Sequence, residues 1–259
     1  GNYNGYSAQM TTILEGIVAK AAPGMVVEHN QGVMFHNDTL YHGFWQAGRA
    51  DAVVLCLGIN SLFEGEEGDA MLNPHGGDRI DTRLPESQTE YVRRMRERIG
   101  DKPLIVVITG GSAMSVPEID SIADAVLFAW YPGEAGGEAV ADILFGAVNP
   151  SGRLPVTFYR SVNDLPPFED YSMEGRTYRY FSGEPLYPFG FGLSYSGFEY
   201  SGAELVPGDQ PVLQVTLTNI GPYDGEEVVQ VYARKTAPQF WRPIRQLVAF
   251  KRVALKNGE

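Results

Sequence analysis

Asp51-Ala52-Val53-Val54-Leu55-Cys56-Leu57-Gly58 runs from one acidic residue into an unbroken apolar stretch that ends on glycine. The run is too short for a buried helix and shows no polar alternation. It therefore reads as a strand buried on both faces. Leu104 to Ile108 repeats the pattern, and Ala123 to Trp130 repeats it again. Between the first two, residues 86–99 carry Val92, Met95 and Ile99 at helical spacing, with Ser87 and Glu90 spaced as a capping box. Residues 134–145 place Ala139, Val140, Ile143 and Leu144 on one helical face, and Gly146 is placed to stop that helix. Upstream, residues 7–21 read as a helix capped by Ser7, Met25 to Glu28 as a short strand, and 38–48 as another helix. Buried strands alternating with helices predict an α/β fold, a mostly parallel sheet with helices on both faces.

The pattern changes after residue 150. Residues 150–195 are rich in Pro, Gly and aromatics and hold no sustained period. From about 197 the chain alternates in the manner of short strands, as at Val212 to Thr218 and Val228 to Tyr232 around the turn Gly221-Pro222-Tyr223-Asp224-Gly225. The expected organisation is an α/β domain over 1–160, an ordered linker or wrapping segment over 161–196, and a small all-β, immunoglobulin-like sandwich over 197–259. At 63 residues that sandwich is incomplete against about 100 for a full one. The chain opens on Gly1-Asn2-Tyr3 and closes on Asn257-Gly258-Glu259 just after an apolar run, so it reads as part of a longer polypeptide.

Composition narrows the function classes. Lys and Arg total 20 against 32 Asp and Glu, a net charge of −12, which is a poor surface for nucleic acid. No apolar run approaches the ~20 residues of a membrane helix. The single cysteine, Cys56, excludes an internal disulfide and a Cys-rich zinc site, and mid-strand it reads as a small buried hydrophobe. His29, His36, His42 and His75 lack metal-ligand spacing, so no metal is expected at them.

In open parallel sheets, ligands bind beyond the C-terminal ends of the strands. The loop there reads Ile59-Asn60-Ser61-Leu62-Phe63-Glu64-Gly65-Glu66-Glu67-Gly68-Asp69 and runs on to Asp78-Arg79, with four carboxylates in six positions. A carboxyl set against an apolar neighbour such as Phe63 would keep its proton and could act as a general acid. A solvated acidic loop, or a weak calcium site, is the alternative, and composition taken alone favours it. Gly110-Gly111-Ser112 lacks the nucleotide-binding signatures and the nucleophile elbow, and reads as a backbone turn. Gly133-Glu134-Ala135-Gly136-Gly137 allows either an anion site or close packing. Arg176-Thr177-Tyr178-Arg179-Tyr180 reads as a segment that pins the linker to a neighbouring domain.

Several stretches together resemble glycoside hydrolase family 3. They are Gly1-Asn2-Tyr3-Asn4-Gly5, the Glu64-Gly65-Glu66 loop, Ala129-Trp130-Tyr131-Pro132-Gly133-Glu134-Ala135-Gly136-Gly137, Asn149-Pro150-Ser151-Gly152-Arg153-Leu154-Pro155 and Tyr187-Pro188-Phe189-Gly190-Phe191-Gly192. Asp224-Gly225-Glu226-Glu227-Val228-Val229-Gln230-Val231-Tyr232 is similar to the family's fibronectin-III-like domain. The resemblance implies a retaining exo-β-glycosidase, a β-xylosidase or β-glucosidase, cutting terminal β-linked sugars. It implies that an N-terminal barrel, absent here, bears the nucleophilic aspartate, so this chain alone is expected to be inactive. It places the general acid/base on Glu64, with Glu66 and Glu67 as alternates. A β-linked oligosaccharide and the barrel are then the partners, and the longer protein is expected to be exported to the periplasm or outside the cell. The competing expectation is a non-catalytic carbohydrate-binding or interaction module, the former presenting aromatics such as Trp241.

Overall fold

A computed structural model describes residues 7–34, 37–64, 70–73, 76–237 and 240–259. The chain divides into two units, the first made of Gly1–Leu144, Phe158–Leu165 and Glu184–Leu186, the second of Phe145–Thr157, Pro166–Gly183 and Tyr187–Glu259.

The first unit opens with α1 (Ile13–Lys20). Its cap is Thr12, whose hydroxyl accepts from the Glu15 N–H while the Glu15 carboxylate accepts from the Thr12 N–H at 2.7 Å. The helix thus starts later than the expected Ser7, whose hydroxyl is engaged by Gln9 O and Glu134. No strand forms at 25–28. β1 (Val33–Met34) and β2 (Asn37–Tyr41) pair antiparallel instead, and of the helix expected over 38–48 a single turn forms, α2 (Phe44–Ala47). Gly43, at φ 87°, takes a left-handed conformation that stops helix from extending upstream.

The parallel sheet follows as β3 (Val53–Gly58), α3 (Ser61–Glu64), α4 (Glu86–Ile99), β4 (Leu104–Thr109), α5 (Pro117–Ile122), β5 (Ala125–Trp130) and α6 (Gly136–Leu144). The strand order is β3-β4-β5 with both pairings parallel, so this is the α/β sheet with flanking helices that the apolar runs predict. The central strand is the most buried of the three, with Leu104, Val106, Val107 and Ile108 all 0% exposed and Ile105 and Thr109 half-buried. Burial on both faces fails at β3 and β5, which are the edges of this sheet among the described residues. Cys56 on β3 is therefore exposed, not a core residue.

α4 buries Val92, Met95 and Ile99, the stripe its spacing predicts. The capping box expected of it does not form. Pro85 holds the cap position, Ser87 is buried inside the first turn, and Glu90 pairs with Arg94 at 2.6 Å. α6 packs on α1 through glycines. The Gly137 N–H donates to Thr11 O at 3.0 Å, and a Cβ on Gly137 would lie 2.0 Å from Thr12 O. Close packing is therefore the role of that glycine run. Phe158 plugs the core edge-on to Phe128 and Trp130, at ring separations of 4.7 and 5.9 Å.

In the second unit, α7 (Thr177–Tyr180) precedes two antiparallel pairs, β6 (Phe198–Val206) with β7 (Val212–Asn219) and β8 (Gly225–Ala233) with β9 (Gln246–Leu255). Asn219 is wholly buried and locks the 221–224 turn by donating to Tyr223 O at 2.8 Å and accepting from the Gly221 N–H at 3.1 Å. The Arg176–Tyr180 segment ties down its own surroundings. Arg176 donates to Pro167 O at 2.7 Å, and Tyr178 stacks on Phe189 at 4.2 Å while its hydroxyl accepts from the Leu247 N–H. Among the described residues no helix is long and apolar enough to cross a membrane.

Candidate functional site

Three strand ends converge at the C-terminal edge of the parallel sheet. β3 ends on Gly58, where a Cβ would lie 2.0 Å from Thr109 O, so the close approach of β3 to β4 requires glycine. The Gln88 side chain holds this end from α4. It accepts from the Gly58 N–H at 2.8 Å and donates to Gly58 O at 2.7 Å. Ile59 is buried next, and the Asn60 side chain accepts from the Leu62 N–H at 3.1 Å to open the single turn of α3. That turn ends on Glu64.

The other strands bring donors to it. β4 runs out into Gly110-Gly111-Ser112. The Gly111 N–H donates to Glu64 Oε2 at 2.9 Å and the Ser112 hydroxyl to Oε1 at 2.5 Å. β5 ends on Trp130 at φ 55°, a left-handed conformation unusual for a bulky residue. The next residue, Tyr131, donates its hydroxyl to Glu64 Oε2. Arg79, from the far end of the loop, places Nη1 3.6 Å from Glu64 Oε1, with the two side chains 13% and 14% exposed. Arg79 also donates to Ser112 Oγ at 2.9 Å and to Arg83 O at 2.8 Å.

The electrostatics follow from burial and pairing. Desolvation pulls the Arg79 guanidinium below its ordinary value, and the Glu64 charge opposes that shift. Burial, then the hydrogen bond given to Glu64, pushes the Tyr131 phenol well above the usual tyrosine range. The group facing Phe63 is the Arg79 guanidinium, 6.0 Å from the ring centre.

Glu64 thus sits at the centre of the arrangement. Glu66 and Glu67 lie outside the described residues, as do Asp69 and His75. Sequence reading missed the partners. Ser112 and Gly111 were read only as a turn, and Tyr131 only as part of a motif. Gly111 belongs to the arrangement through its lack of a side chain, since a Cβ there would meet the Tyr131 ring at 2.9 Å and Glu64 Oε2 at 3.2 Å. A shallow hollow in the second unit, lined by Phe189, Tyr200, Gln230 and Tyr232, has its polar groups already engaged with one another. Gln230 donates to Gly190 O, Tyr232 to Gln230, and Tyr200 to Glu227.

Comparison with known proteins adds a second line. Residues 1–195 match the glycosyl hydrolase family 3 C-terminal domain, and residues 227–259 match a fibronectin type III-like domain. A xylan 1,4-β-xylosidase of Xylanibacter ruminicola is 42% identical over 80% of this chain and 24% of its own length. A periplasmic β-glucosidase of Salmonella typhimurium is 31% identical over 98% of this chain and 37% of its own length. Among solved structures, a β-glucosidase from Erythrobacter marinus superposes with a TM-score of 0.79 at 32% identity, covering 97% of this chain and 37% of that one. The chain spans roughly a quarter to a third of the length of the curated relatives it matches.

Proposed function

Because this chain belongs to glycoside hydrolase family 3, we propose that it is part of a retaining exo-acting β-glycosidase, to which it contributes the general acid/base. The observation that carries this reading is the convergence of three strand ends on the carboxylate loop, at the edge of a parallel sheet where such folds bind ligands. Retaining hydrolysis needs two carboxyls about 5–5.5 Å apart. One attacks the sugar and forms a glycosyl-enzyme. The other protonates the departing oxygen and then takes a proton from the incoming water. In this reading the loop supplies the second carboxyl, and the first lies on an N-terminal barrel of the longer polypeptide. Two carboxyls and water suffice for this chemistry, so it calls for no cofactor.

Of the three glutamates we propose Glu66 or Glu67 as the proton donor rather than Glu64, because the Glu64 carboxylate is already engaged by its neighbours. A carboxylate has about four lone-pair positions. Three of those on Glu64 accept from the Gly111 N–H, the Ser112 hydroxyl and the Tyr131 hydroxyl, and Arg79 Nη1 stands 3.6 Å from Oε1. A glycosidic oxygen would have to compete with these partners for Glu64. Glu66 and Glu67 follow two and three residues further along the same stretch of sequence.

The substrate in this reading is a terminal β-xyloside or β-glucoside, since relatives are named for each sugar. Export of the longer protein accords with the relative named as periplasmic. The test uses the polypeptide that joins this chain to its barrel, with Glu64→Ala, Glu66→Ala and Glu67→Ala assayed on aryl β-xylosides and β-glucosides, with and without azide. The variant whose loss azide restores, with a β-glycosyl azide as product, identifies the acid/base. Full activity in all three would return the loop to a solvated role and the chain to a non-catalytic, carbohydrate-binding one.

A further inference from the structure

We propose that Glu64, Arg79, Ser112 and Tyr131, with the Gly111 N–H, form a clamp that sets the entry and exit of the carboxylate loop, and that Glu64 is a positioning residue. The proposal rests on the acid/base reading above. Glu64 and Arg79 stand at the two ends of the loop, and their side chains meet across its neck. A second tie lies beside them, where the Leu72 N–H donates to Leu62 O at 2.9 Å. The segment that leaves the loop is fixed in turn. The Ser115 N–H donates to Thr82 O at 2.9 Å, and the Thr82 and Ser115 hydroxyls lie 2.7 Å apart. The clamp therefore joins the ends of β3, β4 and β5 to both ends of one loop.

Two features mark it as more than ordinary packing. Gly111 leaves room for the Glu64 carboxylate that a Cβ would take, and Trp130 adopts its left-handed backbone one residue before the Tyr131 donor. Strained backbone persists where the surroundings over-determine it, and it gathers at functional sites. A buried ion pair adds little stability over a well-packed apolar pair, whereas it does specify one geometry. Placing the pair at the neck fixes the point from which the segment bearing Glu66 and Glu67 leaves the sheet.

The test again uses the barrel-joined polypeptide, with Tyr131→Phe, Ser112→Ala, Ser112→Thr and Glu64→Gln. A misplacement of about 1 Å can slow a reaction about 100-fold. Tyr131→Phe and Ser112→Ala are expected to lower kcat by about 10–100-fold with KM changed less than about threefold. The loss should be greatest for aryl glycosides with poor leaving groups, which depend most on a well-placed acid. Ser112→Thr, which keeps the hydroxyl, should recover most of the rate. Glu64→Gln should be slow and unresponsive to azide. Losses independent of the leaving group, wild-type kinetics in both mild variants, or azide rescue of Glu64→Gln would each overturn the clamp. The two readings fail separately. If Glu66→Ala or Glu67→Ala is rescued by azide while the clamp variants behave as wild type, only the clamp falls. If no loop glutamate affects turnover, the acid/base reading falls and takes the clamp with it.

Discussion

At the scale of single residues, the site depends on a missing side chain as much as on those present. Gly111 admits the Glu64 carboxylate because it has no Cβ, and alanine there would press on both Glu64 and the Tyr131 ring. Gly111→Ala is expected to destabilise the first unit by about 1–3 kcal/mol, the usual range for overpacking, measured by urea unfolding. Arg79 acts in the opposite sense, through its charge. Removing it as Arg79→Met leaves a mostly buried carboxylate without its cation. Breaking a buried pair in this way typically costs about 3–5 kcal/mol, and three remaining donors put this case at about 3. A loss under about 0.5 kcal/mol in the same experiment would mean the pair is well solvated.

Between elements, α1 and α6 meet backbone to backbone. Gly16 and Gly137 meet with no space for a methyl group, since a Cβ on Gly16 would lie 2.1 Å from Gly137 O. Gly16→Ala should therefore cost about 2–3 kcal/mol by forcing the helices apart, despite alanine's better helix propensity; a raised Tm would refute that packing. The start of β5 carries a pH dependence. Asp124 accepts from the Leu104 N–H at 2.8 Å and from Arg96 at 2.6 Å, and these bonds, the backbone one foremost, hold its carboxyl below the usual range. Its folded value is depressed, so its contribution is present above the ordinary value of 3.8 and is lost as pH falls through the folded value. Asp124→Asn should flatten the acid limb of stability against pH and leave its alkaline limb unchanged.

At the scale of the whole chain, the proposed mechanism makes a simple demand. One of its two carboxyls lies in the barrel, so the purified chain should not cleave aryl β-xylosides or β-glucosides, and measurable turnover would sink the shared-site reading. The α/β architecture was legible because its signals are local: apolar runs for β3, β4 and β5, helical spacing for α4, and a glycine stop at Gly146. The place of the carboxylate loop was legible too, since ligands gather at the strand ends of such sheets. Caps were less so: the expected Ser7 bonds Glu134, a partner distant in sequence, while Thr12 caps the helix through Glu15. The environment of Glu64 was not legible at all. Its donors at Gly111, Ser112 and Tyr131 lie 47, 48 and 67 residues away. Periodicity and motif record what a residue does along its own element. Which donors fill a carboxylate's lone pairs is settled only when separate strand ends are brought side by side, and so the chain's sequence determined its fold class and its loop, while the folded sheet decided what Glu64 is free to do.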